Sequence, residues 1–125
     1  MITTIAELKA LLEKAWNLET CAPGSRSVWS SENKSAGQCG VTSLVVHDYF
    51  GGEIRRCKVG AGTHYFNFIN GELVDLTAAQ FHGLKLNYDD FEIRTRDELL
   101  SSADTLQRYE LLKKRIEKIN NENHE

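Results

Sequence analysis

Apolar residues open the chain at helical spacing, with Ile5, Leu8, Leu11, Leu12 and Ala15 falling on one face. Thr4 and Glu7 stand ahead of them at capping-box spacing, and the pattern predicts a helix over residues 4–17. The periodicity then stops. Residues 19–37 are rich in Ser, Gly and Asn, are punctuated by Trp29, and predict a long irregular segment. A loop of that length in a compact domain is either functional or disordered, and this one leads straight to Cys39. From Cys39 to Phe50 the apolar positions Val41, Leu44, Val45, Val46, Tyr49 and Phe50 predict a mostly buried helix, stopped by Gly51-Gly52.

The period changes after that. Glu53 to Val59 alternates as a strand does, and Gly60-Ala61-Gly62 turns the chain. Aromatic and branched residues flank Asn70-Gly71, which predicts a hairpin of residues 64–69 with residues 72–76. Thr77 to Phe81 reads as a short helical turn, residues 90–95 as a further strand, and Ala103 to Asn120 as a charged amphipathic helix. Leu106, Tyr109, Leu112, Ile116 and Ile119 share one face of it. That stripe is more simply packed on the domain than used for dimerisation, so a monomer or weak homodimer is expected. The fold class is α+β, a small antiparallel sheet with N- and C-terminal helices. Residues 1–120 are expected to form a single domain and 121–125 a flexible tail.

Composition narrows the function. A net charge of -3 and a pI near 5.8 argue against a nucleic-acid or anionic-membrane partner, which would want a basic face. No apolar run approaches the roughly 20 residues of a membrane span. The sequence Met1-Ile2-Thr3-Thr4 has no secretory n-region or h-region, so the cytoplasm is the expected compartment. Cys21, Cys39 and Cys57 are odd in number, and a reducing compartment favours no disulfide. No close Cys/His pair supplies zinc spacing. A metal site from Cys39, Cys57, His47 and His64 is therefore not expected, and neither is a cofactor. His82 and His124 lack motif context.

Three residues carry candidate chemistry. Cys39 falls at the start of a buried helix, where unpaired amides and the helix dipole favour the thiolate; its own N–H is also a ready oxyanion donor. With a two-residue loop at Asn70-Gly71, Ile69 faces Glu72, Phe66 faces Asp75 and His64 faces Thr77. His64 and Asp75 are then diagonal neighbours on one sheet face, roughly 7–8 Å apart at the backbone. A carboxylate there can hold one imidazole nitrogen and aim the other outward, as a triad base requires.

The stretches Gly37-Gln38-Cys39-Gly40-Val41-Thr42-Ser43-Leu44-Val45-Val46, Gly51-Gly52-Glu53-Ile54, His64-Tyr65-Phe66-Asn67 and Val74-Asp75-Leu76-Thr77-Ala78-Ala79-Gln80-Phe81 resemble small bacterial proteins of the YunG type. These look like compact members of the papain-like group that includes NlpC/P60 peptidases and transglutaminases. The resemblance implies a nucleophile helix packed on an antiparallel sheet, with Cys39, His64 and Asp75 as nucleophile, base and orienter. The oxyanion glutamine of papain precedes its cysteine by several residues, whereas Gln38 is adjacent to Cys39, so that role does not transfer; Asn33 or a loop amide is the substitute. Trp29, Asn33, Gln38 and Tyr65 are the candidate substrate-binding residues, with residues 19–34 and 87–92 as cleft walls. The expected function is cysteine-dependent acyl transfer, as peptidase, amidase or transferase, on a small-molecule or peptide substrate. The rival expectation is a non-catalytic binding module on the same fold.

Overall fold

The computed structural model describes residues 2–81 and 86–123. Helix α1 (Ile5–Ala15) starts at Thr4, whose hydroxyl accepts from the Glu7 N–H at 3.1 Å. The return arm of the expected capping box differs: the Glu7 carboxylate takes the hydroxyls of Thr3 and Thr4, not the Thr4 backbone N–H. A short 3-10 turn (Pro23–Ser25) lies in the loop before α2 (Cys39–Phe50). Strands β1 (Glu53–Val59), β2 (Gly62–Ile69) and β3 (Glu72–Val74) follow, then a 3-10 turn (Ala78–Phe81), strand β4 (Phe91–Arg94), and helices α3 (Arg96–Leu100) and α4 (Ala103–Asn123).

The four strands form one antiparallel sheet in the order β3-β2-β1-β4. The architecture is α+β. Asn70 and Gly71 both take positive φ, 51° and 80°, the pair a tight hairpin with matching strand twist requires. The resulting register pairs Ile69 with Glu72 and Asn67 with Val74, as the two-residue loop predicts. Strand alternation then separates two faces. Asn67 points at α2 and donates to the Ser43 carbonyl at 3.1 Å, so Tyr65 and Ile69 share that side. His64 and Phe66 occupy the other, where Phe81 and Tyr88 meet their rings edge-on at 4.7 and 5.0 Å.

The core lies on the α2 side. Leu8, Leu12, Val41, Leu44, Val45, Val46, Leu112 and Ile116 are fully buried in one cluster, joined by Trp16, whose indole N–H donates to Thr42 at 2.9 Å. Each such aliphatic side chain contributes roughly 1.5–3 kcal/mol by leaving water. The α4 stripe is thus packed on the domain, with Leu106 left 37% exposed at its start.

Two local expectations change. Helix α3 was not read from the pattern, although Thr95 and Glu98 form a complete capping box ahead of it. Helix α4 runs to Asn123, past the expected end at residue 120, so the expected tail is helical for its first three residues. His82 and the last two tail positions, His124 and Glu125, fall outside the described residues.

Leu112→Ala removes packing from a site with no exposure and is expected to cost about 2–5 kcal/mol. Leu106→Ala, on the same stripe but exposed, is expected to change stability by less than about 0.5 kcal/mol. Denaturant unfolding of both variants checks this, and equal losses would contradict the packing described.

Candidate active site

Cys39 is the first residue of α2, and Gln38 is its N-cap. A first-turn N–H has no carbonyl four residues back, so the amides here are donors without helical partners. The cap makes no side-chain hydrogen bond to them. The loop into this position is tightly held: Gly37 has φ +69°, and a Cβ there would come within 2.6 Å of Cys21 Sγ and 2.8 Å of Ser25 Cβ. Only a residue without a side chain fits, so the backbone before the sulfur is fixed by packing.

His64 is completely buried on β2. Its Nε2 meets Asp75 Oδ2 at 2.7 Å. Asp75 stands one step beyond the last β3 pair, and further donors converge on it. Tyr88 Oη donates to Oδ2 at 2.7 Å, and the Thr77 backbone N–H donates to Oδ1 at 3.2 Å. The Asp75–Thr77 contact is the local Asx-type turn that an Asp two residues before a Thr invites. A buried carboxylate so held has one oxygen fixed against the imidazole.

The other imidazole nitrogen, Nδ1, is buried and makes no aligned hydrogen bond. Cys39 lies near enough to favour the charged form of the ring. Resting catalytic contacts are often loosely aligned and tighten when substrate binds. Burial by itself disfavours the imidazolium, but Asp75 and Cys39 together outweigh it and push the His64 pKa up from 6.5 to about 9. The Tyr88 hydroxyl is raised as well, by burial and by Asp75, and therefore stays a neutral donor.

The other two cysteines are placed differently. Cys57 pairs directly across from His64, is buried, and has its thiol pKa raised by burial and then by the Asp75 and Cys39 charges. Cys21 is buried too, and burial raises it. All three thiols are free, and Cys39 is partly exposed. Among the described residues no group of three or more His, Cys, Asp or Glu is arranged to hold a metal ion. His47 instead contacts Arg96 through Nδ1 at 3.2 Å, near the C-terminal end of α2.

Cys39 opens into a cleft of ≈ 450 Å³, walled by Gly40, Tyr65, Gln80, Phe81 and Arg108 among others. A larger groove of ≈ 590 Å³ touches Asn33 and Asp75 but does not reach Cys39. The structure therefore brings Cys39, His64 and Asp75 together, with Tyr65 on the same cleft. Three expected substrate contacts lie elsewhere. Gln38 is fully buried, and its Nε2 ties back to the Asn17 carbonyl at 3.1 Å, because a helix N-cap facing α1 has no open side. Trp29 and Asn33 brace their own loop, donating to the carbonyls of Lys34 and Val28. Part of the expected wall, Ala22 and Ser25, does line the cleft, but residues 87–92 do not; α3 and α4 replace them. Tyr88 and Gln80 went unassigned in the sequence. Gln80 stands in the Val74–Phe81 stretch, where nothing local marks a role, and Tyr88 reaches Asp75 from across the sheet face.

A histidine resonance titrating near pH 9, and moving down in Asp75→Asn, is the expected NMR result. Because the folded pKa lies above the unfolded value near 6.5, the pair's stabilisation is complete below 6.5 and lost as pH climbs through about 9. The Tm advantage of wild type over Asp75→Asn should accordingly be larger near pH 6 than above pH 9. A His64 midpoint near 6.5 in both proteins would contradict the ion pair.

The family model described as "YunG protein" matches residues 4–121. The Bacillus subtilis (strain 168) protein described as "Uncharacterized protein YunG" is 42% identical over 74 residues, which cover 59% of this chain and 60% of that relative. No solved structure matches.

Proposed function

This chain belongs to the YunG family, and from that premise we propose that it is a cysteine-dependent acyl-transfer enzyme built on a papain-like core. One observation carries the reading: a buried imidazole, ion-paired to Asp75 at 2.7 Å, sits beside the cysteine that starts α2 and faces a cleft. A buried histidine held protonated by its neighbours against the effect of its own burial is a poor structural device, since burial alone would neutralise it. It is a useful catalytic one. Nucleophile and base adjacent, with the base oriented by a third group, is the general signature of covalent catalysis.

In this mechanism Cys39 Sγ attacks the carbonyl carbon of an amide or ester, and the carbonyl electrons move onto oxygen. Collapse breaks the bond to the leaving group, which takes the proton from His64 Nδ1. Water or an amine then attacks the thioester, giving its proton to Nδ1, and the thiolate leaves. Asp75 keeps the ring in one orientation throughout, and Tyr88 and Thr77 keep Asp75 there. Water as acceptor makes a peptidase or amidase, an amine a transferase. The kinship we propose to NlpC/P60 peptidases and transglutaminases rests on this placement: nucleophile on a helix, base on an antiparallel sheet, acid beside it. The cleft suits a small-molecule substrate or an extended peptide segment. A reaction that needs a reduced thiol fits the cytoplasm, the compartment we propose. Among the described residues no helix is long and apolar enough to cross a membrane.

Incubation with an activated phenyl ester tests the proposal. Intact-mass spectrometry of wild type is expected to show one acyl group, mapped to Cys39, and none in Cys39→Ser. Acylation spread equally over the three cysteines, or none at all, would refute the acyl-transfer reading and leave the cleft as a binding site.

A further inference from the structure

We propose that Gln80 is the side-chain donor of the oxyanion hole, a role that rests on the acyl-transfer reading above. An acyl-transfer site must stabilise the negative oxygen of its tetrahedral intermediate, commonly with more than one N–H donor. The Cys39 backbone N–H supplies one from the first turn of α2. A second must come from outside the helix, and the side chain the sequence offers, Asn33, lines a different groove, while Gln38, already set aside, is tied to the Asn17 carbonyl.

Gln80 lines the Cys39 cleft. Its Oε1 accepts the Gly37 backbone N–H at 3.1 Å, a contact that spans 43 residues of sequence and ends two residues before the nucleophile. An amide N–H must be met by an acceptor, so this bond fixes which end of the Gln80 amide is oxygen. The Nε2 end therefore faces away from Gly37. That nitrogen is buried and has no hydrogen-bond partner among the described residues. A buried NH2 without an acceptor carries a standing desolvation penalty that is relieved when an acceptor arrives. An oxyanion forming at Cys39 is an acceptor of the right charge in the right cleft. The Gly37 anchor also reduces the reorganisation such a donor would otherwise need, since Gly37 sits where not even a Cβ fits beside Cys21 and Ser25.

Gln80→Glu isolates the donor, because its remaining carboxylate oxygen still accepts from Gly37 while the NH2 is gone. Two reactions of Cys39 are compared in the intact protein. Iodoacetamide attacks through a saturated carbon and forms no oxyanion; an activated phenyl ester does form one. Gln80→Glu and Gln80→Ala, at unchanged folding by circular dichroism, are expected to lose about 10²–10³-fold in acylation relative to alkylation, a ratio in which any effect of the substitution on the shared thiolate cancels. Wild-type acylation rates in both variants would overturn the role for Gln80 while leaving the acyl-transfer reading intact. Equal loss of alkylation and acylation in both would overturn it too, by showing that Gln80 merely holds the loop before Cys39. Failure of the wild type to acylate would remove the underlying reading, and this inference with it.

Discussion

The buried contact between His64 and Asp75 constrains more of this protein than any other. A charged imidazole with no solvent exposure needs its carboxylate, and the carboxylate needs donors of its own. The hairpin exists in a register that delivers Asp75 to His64, and Asn70-Gly71 sets that register through two positive φ angles. Thr77 and Tyr88 then satisfy the remaining carboxylate lone pairs. Phe66 and Phe81 shut water out around the ring. Removing any one of these leaves a buried charge less well compensated, so the segment from β2 to Tyr88 behaves as one electrostatic unit.

The sulfur reaches that unit from the other half of the molecule. Helix α2 is clamped by aliphatic packing against α1, α4 and the sheet, and Asn67 ties its Ser43 carbonyl to β2. The apolar core thus fixes where the helix begins, and hence where Cys39 lies relative to His64. A second polar cluster pins the far end. Asp48 pairs with Arg96 at 2.9 Å and with Lys113 at 3.3 Å, and also accepts from the Tyr109 hydroxyl, locking α2 to α3 and α4. Both ends of α2 are therefore anchored by groups outside the Cys39 cleft.

Much of this was legible before any coordinates. Side-chain alternation and the Asn-Gly signal are local, and they were enough to set His64 and Asp75 on one face. The apolar run after Cys39 marked a buried helix for the same reason. What escaped depended on contacts distant in sequence. Gln80 bonds to Gly37 across 43 residues, and Tyr88 joins Asp75 from beyond the hairpin. The direction of the Gln38 side chain, inward to the Asn17 carbonyl, is likewise set by a residue distant in sequence. Trp29 misled because a large aromatic in a polar loop suggests a ligand surface, yet its indole closes the loop on Lys34. Helix α3 was readable from Thr95-x-x-Glu98, a signal passed over because only five residues follow it.

Site-resolved alkylation at neutral pH tests the central claim most directly, with Cys39, Cys21 and Cys57 followed separately by mass spectrometry in wild type and His64→Ala. Cys39 is expected to label first in wild type and to lose that advantage when the imidazole is removed, while buried Cys21 and Cys57 stay slow in both. Equal labelling of Cys39 in the two proteins, or a Cys39 no faster than its buried neighbours, would contradict a working cysteine–histidine pair.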